Sequence, residues 1–133
     1  MQLTRHTDYA LRLLIQLAGE GEGRVSIAQV AETQDISRSH LMKVANALAH
    51  AGFIKAVRGR GGGISLGRRP EEINIGAVVA AMEPGAALVD CCDCRLVKRC
   101  GLPGVLAEGM NAFLAVLSRY SLADIVRQPA LLG

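Results

Sequence analysis

Hydrophobic residues recur along this chain at steps of three and four, and short breaks divide the pattern into segments. Ala10, Leu11, Leu14, Ile15, Leu17 and Ala18 give the first segment a broad apolar face. The spacing predicts a helix from about Asp8 to Gly19, with Thr7 as its N-cap, broken by Gly19, Gly21 and Gly23. Ser26 opens a second, short helix, and Gln29 three residues later completes a capping-box pattern. Ile27, Val30 and Ala31 face inward, and this helix ends near Gln34-Asp35. Ser37 caps a third helix, carried by Leu41, Val44, Ala45 and Leu48 and stopped by Gly52.

The period then changes. Phe53 to Val57 reads as a strand, Arg58-Gly59-Arg60-Gly61-Gly62-Gly63 as a tight turn and Ile64 to Leu66 as the returning strand of a hairpin. Pro70 marks the edge of this unit. Ile75 to Met82 reads as a short helix stopped by Pro84-Gly85, and a cysteine-bearing loop follows. A long amphipathic helix from about Pro103 to Tyr120 carries an apolar stripe of Leu106, Met110, Phe113, Leu114 and Leu117, widened by Val105 and Val116. Ser121 caps a last turn, Leu122 to Val126. The predicted fold is mainly α: a winged helix-turn-helix domain over 1–70, then a cysteine loop and dimerisation helix over 71–133.

Composition agrees with packed helices. Half of the 133 residues are hydrophobic, only 3% are aromatic and Trp is absent, so Leu, Val, Ile and Ala must build the core. No apolar run reaches the ~18 uncharged residues that would span a bilayer. The N-terminus lacks the basic-then-apolar build of a secretory signal, so the expected location is the cytoplasm.

Charge changes the picture further. Residues 1–70 carry ten Lys/Arg against five Asp/Glu (+5), and residues 71–133 carry five against seven (−2). A basic front half suggests a polyanionic partner, double-stranded DNA in this fold. In a helix-turn-helix the start of the second helix enters the major groove. Here that start offers Ser37, Arg38, Ser39 and His40, with Lys43 one turn on. Arginine can pair bidentately with guanine, while Ser and His can bond base edges or phosphates. Arg58 and Arg60 sit among glycines that allow close approach to a duplex, and arginine suits a narrow minor groove. The glycine run lacks the Gly-Lys-Ser/Thr ending of a phosphate-cradling loop.

All four cysteines, Cys91, Cys92, Cys94 and Cys100, fall within ten residues. A disulfide framework would staple distant segments, which this cluster cannot do. Thiolates are soft ligands for iron–sulfur clusters and zinc, and Arg95, Lys98 and Arg99 would offset their charge. Spacing alone leaves open a cluster, a zinc ion or a thiol switch. An enzyme is not expected, because no base and nucleophile constellation accompanies the cysteines.

Taken together, these segments resemble the NsrR/IscR-type iron–sulfur winged-helix transcription regulators. The likeness runs through Leu3-Thr4-Arg5-His6-Thr7-Asp8-Tyr9-Ala10-Leu11-Arg12, Val57 to Leu66, Ile75-Gly76-Ala77-Val78-Val79, the cysteine loop and Tyr120 to Val126. Thr7-Asp8-Tyr9 points to the nitric-oxide-sensing branch of that family. The resemblance implies a homodimer crossed by the long helix, acting as a repressor that nitric oxide releases from operator DNA. It implies an iron–sulfur cluster ([2Fe-2S] or [4Fe-4S]) held by three loop cysteines, with an aspartate at Asp8 reaching it from the partner subunit. The related alternatives are a zinc- or thiol-switched regulator, or a regulator of the same family that reads iron or cluster status. One departure stands out. Cys94 and Cys100 keep the family's second interval, but the first is shortened, with Cys91 or Cys92 close against Cys94. Cys91 follows Leu-Val-Asp as the family's first cysteine does and is preferred. His6, His40 and His50 are scattered and are not assigned to metal.

Overall fold

The computed structural model describes residues 1–21, 23–83 and 88–127. Helix α1 (Arg5–Gly19) buries Leu13, Leu14 and Leu17 on one face. It starts a turn earlier than its apolar spacing predicts, because Thr4 is the N-cap and its hydroxyl accepts the Thr7 N–H at 3.3 Å. Thr7 is instead fully buried, and its hydroxyl donates to the Glu83 carboxylate. The cause is long-range. Glu83 also accepts the Thr4 hydroxyl at 2.7 Å and the Thr4 N–H at 3.3 Å, so a carboxylate 79 residues away closes the helix start.

Helix α2 (Ile27–Gln34) has the reciprocal capping box: Ser26 Oγ accepts the Gln29 N–H at 3.1 Å and Gln29 Oε1 accepts the Ser26 N–H at 2.9 Å. Asp35 ends it in the left-handed region, φ 54°. After this sharp turn Ile36 is buried, and Ser37 caps α3 (Arg38–His50) by accepting the His40 N–H at 3.2 Å. Strands β1 (Ile54–Val57) and β2 (Gly63–Leu66) pair antiparallel, with Ile54 opposite Leu66 and Val57 opposite Gly63. Val25 adds a one-residue bridge to β2 through two backbone bonds with Ile64, at 2.9 and 2.8 Å. This is a helix-turn-helix followed by a hairpin wing.

A 3-10 turn (Pro70–Glu72) leads to α4 (Ile75–Met82), capped by Asn74. The Pro84-Gly85 stop lies outside the described residues. Helix α5 (Leu102–Leu117) carries Pro103 in its first turn, where the missing N–H costs nothing. It ends before Tyr120 for a tertiary reason. The Ser118 carbonyl accepts from Asn74 Nδ2 at 2.8 Å and the Tyr120 carbonyl accepts the Ile75 N–H at 3.0 Å, which draws both away from helical pairing. Helix α6 (Leu122–Arg127) then returns to the core, its Leu122 N–H donating to the Ile73 carbonyl at 2.8 Å.

The core forms around α1, against which α3, α4, α6 and β2 all pack. It continues past Pro70, since Ile73, Ile75, Val78, Met82 and Leu122 join Leu13, Leu14, Leu41 and Leu48. Gly76 lets α4 approach α5 closely: a Cβ there would lie 2.1 Å from Ser118 Oγ and 3.0 Å from the Leu114 carbonyl oxygen. Helix α5 itself buries no residue. Leu102, Val105 and Val116 are exposed, Val105 by 64%, while Leu106, Met110, Phe113 and Leu114 are half-buried. No helix among the described residues is long and apolar enough to cross a membrane.

The Glu83 clasp gives a pH signature. Burial alone would raise the carboxyl, but bonds from the Thr7 and Thr4 hydroxyls and the Thr4 N–H, with His6 nearby, hold it below its ordinary value of 4.5. A lowered folded value means that the charged clasp stabilises the fold at pH above 4.5 and is lost as pH falls through the lower folded value. Glu83→Gln should therefore destabilise at pH 7 by about 1 kcal/mol. Thermal melts from pH 7 down to pH 4 should show the gap to wild type closing at the acid end.

Candidate nucleic-acid interface and cysteine loop

Two faces of α3 divide cleanly. Leu41, Val44, Ala45 and Leu48 are buried, while Arg38, Ser39 and Lys43 are exposed. Ser37 Oγ is already engaged as the helix cap, so its part at the surface is to fix the first turn. His40 is half-buried, because its ring meets the Tyr9 ring of α1 edge-on, with centroids 4.8 Å apart and planes at 60°. The Arg12 guanidinium lies 5.8 Å from the centre of the same Tyr9 ring. Met42, 52% exposed, and Asn46, also exposed, continue the outward stripe from Ser39 at helical steps. The same three- and four-residue count that located the buried face would have found both, because they occupy its complement.

Arg58 and Arg60 are exposed at the wing tip. The Gly62 N–H donates to the Gly59 carbonyl at 2.9 Å, closing the turn. No other residue fits at position 62: a Cβ would lie 2.3 Å from the Val57 carbonyl oxygen and 2.6 Å from that of Gly59. Arg24, which sequence reading passed over, donates from Nη1 to the Gly61 carbonyl at 3.1 Å. Asp8 pairs with Arg12 at 3.0 Å and Glu71 with Arg69 at 3.6 Å. Neither pair draws on Arg38, Lys43, Arg58 or Arg60. The exposed cations of α3 and the wing are what a phosphate backbone requires.

The cysteines lie in a surface loop of turns over 91–100. All four are free thiols; Cys91 is half-buried and Cys92, Cys94 and Cys100 are exposed. The Cys94 N–H donates to the Cys91 carbonyl at 3.3 Å, making a tight turn between them. Cys100 Sγ accepts the Leu102 N–H at 3.4 Å, at the first residue of α5. Cys91 and Cys92 line a cleft of about 450 Å³ with Leu88, Val89, Asp90 and, from α5, Pro103, Leu106 and Ala107. The donor set suits an iron–sulfur centre: several unpaired soft thiols beside Arg95, Lys98 and Arg99. Among the described residues, however, no three His, Cys, Asp or Glu side chains come together as a metal site. Asp8 sits in the first turn of α1, bonded to Arg12 of its own chain.

Comparison with known proteins bears on this arrangement. The model of the Rrf2 family, described as an iron-dependent transcriptional regulator, matches residues 3–128. The HTH-type transcriptional regulator NsrR of Bacillus subtilis is 50% identical over 133 residues, covering 96% of this chain and 91% of the relative. Its namesake from Halalkalibacterium halodurans is 46% identical over 132 residues, covering 95% and 90%. Among solved structures, T. potens IscR superposes with a TM-score of 0.75 at 27% identity, covering 97% of this chain and 88% of that one. CymR, the global cysteine regulator of B. subtilis, superposes with a TM-score of 0.73 at 28% identity, covering 96% and 97%. These relatives are regulators and not enzymes, and their winged-helix fold is the one described above. With sequence agreement from α1 through α6 and the fold to match, this chain belongs to the Rrf2 family of transcriptional regulators.

Proposed function

We propose that this protein is a homodimeric, cluster-dependent repressor that binds operator DNA in the cytoplasm, with nitric oxide as the releasing signal. The observation that carries the reading is the junction at Cys100. The cysteine loop runs directly into α5, and Cys100 Sγ is bonded to the helix's first N–H. A change in how the loop is held therefore acts on a helix that, among the described residues, is only partly covered, with Leu102, Val105 and Val116 exposed. The nitric-oxide signal rests on the resemblance at Thr7-Asp8-Tyr9 and Tyr120 to Val126, and on the relatives named NsrR.

Arg38, Ser39 and Lys43 serve as the major-groove contacts, Ser37 as the cap that orients them, and His40 as a contact braced by Tyr9. Arg58 and Arg60 reach the duplex from the wing. Cys91, Cys94 and Cys100 hold the iron–sulfur cluster, which supplies a centre reactive toward nitric oxide when bound. Cys92, exposed and one residue nearer to Cys94, is the spare thiol. Asp8 of the partner subunit completes the ligand set. To do so it must leave Arg12; both side chains of that pair are about half exposed, and such surface pairs contribute only ~0–1 kcal/mol. Helix α5 covers its apolar face with the same face of a second copy.

Arg38→Ala should cost roughly 1–3 kcal/mol in operator binding and relax preference at one base position. Binding measured over a panel of base-substituted duplexes would show it, and tight, equally selective binding by the variant would remove Arg38 from the interface.

Cys94→Ser and Cys100→Ser should each abolish the visible absorption and iron content of anaerobically purified protein, while Cys92→Ser leaves both intact. Stoichiometric zinc without iron in the wild type would select the zinc-switched alternative.

Sedimentation at micromolar concentration should give a dimer, and the preferred DNA should be a pseudo-palindrome with half-sites roughly 10 base pairs apart, or a multiple of that. A charge placed at Val105 or Leu106 should shift the dimer toward monomer.

A further inference from the structure

The wing tip spans six residues, four of them glycine. Such a loop has many conformations in free solution, and ordering it on DNA costs affinity. The structure shows what limits that freedom. The segment entering α2 lies along the outer edge of β2: Val25 exchanges two backbone bonds with Ile64, and the Arg24 side chain runs on toward the tip. At Gly63, held at φ 146°, a Cβ would lie 2.8 Å from the Val25 carbonyl oxygen and 3.4 Å from Arg24 Cβ, so the two strands of chain are in close contact there. Arg24 Nη1 then donates to the Gly61 carbonyl across 37 residues of sequence. That carbonyl belongs to the residue next to Arg60.

We propose that Arg24 is a positioning residue of the DNA interface: its bond to the Gly61 carbonyl pre-orders the wing tip and presents Arg60 to the duplex in one geometry. The inference rests on the wing contacting DNA, as proposed above. The bond is charge-assisted on the donor side, which makes it stronger than a neutral one. Lost ordering of this kind is expected to weaken binding roughly tenfold, about 1.4 kcal/mol. Arg24 is itself exposed and cationic, so the rival role is a direct phosphate contact. The two roles differ in salt dependence. A phosphate contact lowers the slope of log K against log salt by about 0.9, whereas a latch leaves the slope unchanged.

The experiment uses the anaerobically purified full-length protein and a duplex selected from a randomised pool by the wild type. Arg24→Ala should weaken binding roughly tenfold with an unchanged salt slope, and should speed amide exchange from Gly61 to Ile64 in the absence of DNA. Arg24→Lys should recover much of both effects, since an ammonium can also donate to the carbonyl. Adding Arg24→Ala to Arg60→Ala should cost little more than Arg60→Ala alone, because the two act as a unit. Unchanged binding or unchanged amide exchange in Arg24→Ala would overturn the proposal. So would additive losses with a reduced slope, which would make Arg24 an independent phosphate contact. An Arg60→Ala protein that bound like wild type would instead overturn the wing contact, and the role of Arg24 with it.

Discussion

The buried face of α1 is the surface on which α3, α4, α6 and β2 all pack. Leu13 and Leu14 have no exposed surface and Leu17 almost none. The elements packed on that helix are those a regulator must keep in register: the recognition helix α3, the strand β2 of the wing, and the helices α4 and α6 that flank the cysteine loop and α5. Interiors are packed to crystal-like density, so a helix shared by so many neighbours moves them together or not at all. Side-chain contacts in the first turns of this helix reinforce the arrangement. At its start Thr4 and Thr7 grip Glu83, the residue that closes α4. One turn on, Tyr9 touches His40 of the recognition helix.

That architecture explains why parts of the fold were legible in the sequence and others were not. Where an element is fixed by neighbours in the chain, as with Ser26 and Gln29 around α2 or Ser37 before α3, the residue types alone carry the answer. The start of α1 and the end of α5 depart from the apolar spacing because distant residues decide them. Thr4 and Thr7 are equally good caps by type, and only the Glu83 carboxylate selects Thr4. Nothing near Tyr120 says that Asn74 and Ile75 claim its neighbourhood. The same limit hid Arg24, whose acceptor lies 37 residues on. Met42 and Asn46 are a different case: they share the exposed stripe of α3, but an apolar residue and an amide carry no charge or hydroxyl that marks them in the sequence.

The cysteine loop shows a third kind of limit. Its thiols declare soft-ligand chemistry in the sequence, and their exposure and freedom in the fold are consistent with it. Convergence of the ligands is another matter. A loop of turns held by a few backbone bonds has no packed core of its own to bring the thiols together.

The return of α6 to the core bears on how the protein is made. Leu122 is wholly buried and its N–H bonds the Ile73 carbonyl. The hydrophobic centre beneath the recognition helix is thus incomplete until α6 has left the ribosome, by which time the cysteine loop and α5 have already been synthesised. A nascent or prematurely terminated chain that carries α3 and the wing but not α6 leaves a hole where Leu122 belongs, and the Ile73 carbonyl lacks its Leu122 partner. The order of elements along the chain thus ties completion of the core beneath α3 and the wing to prior synthesis of the cysteine loop and α5.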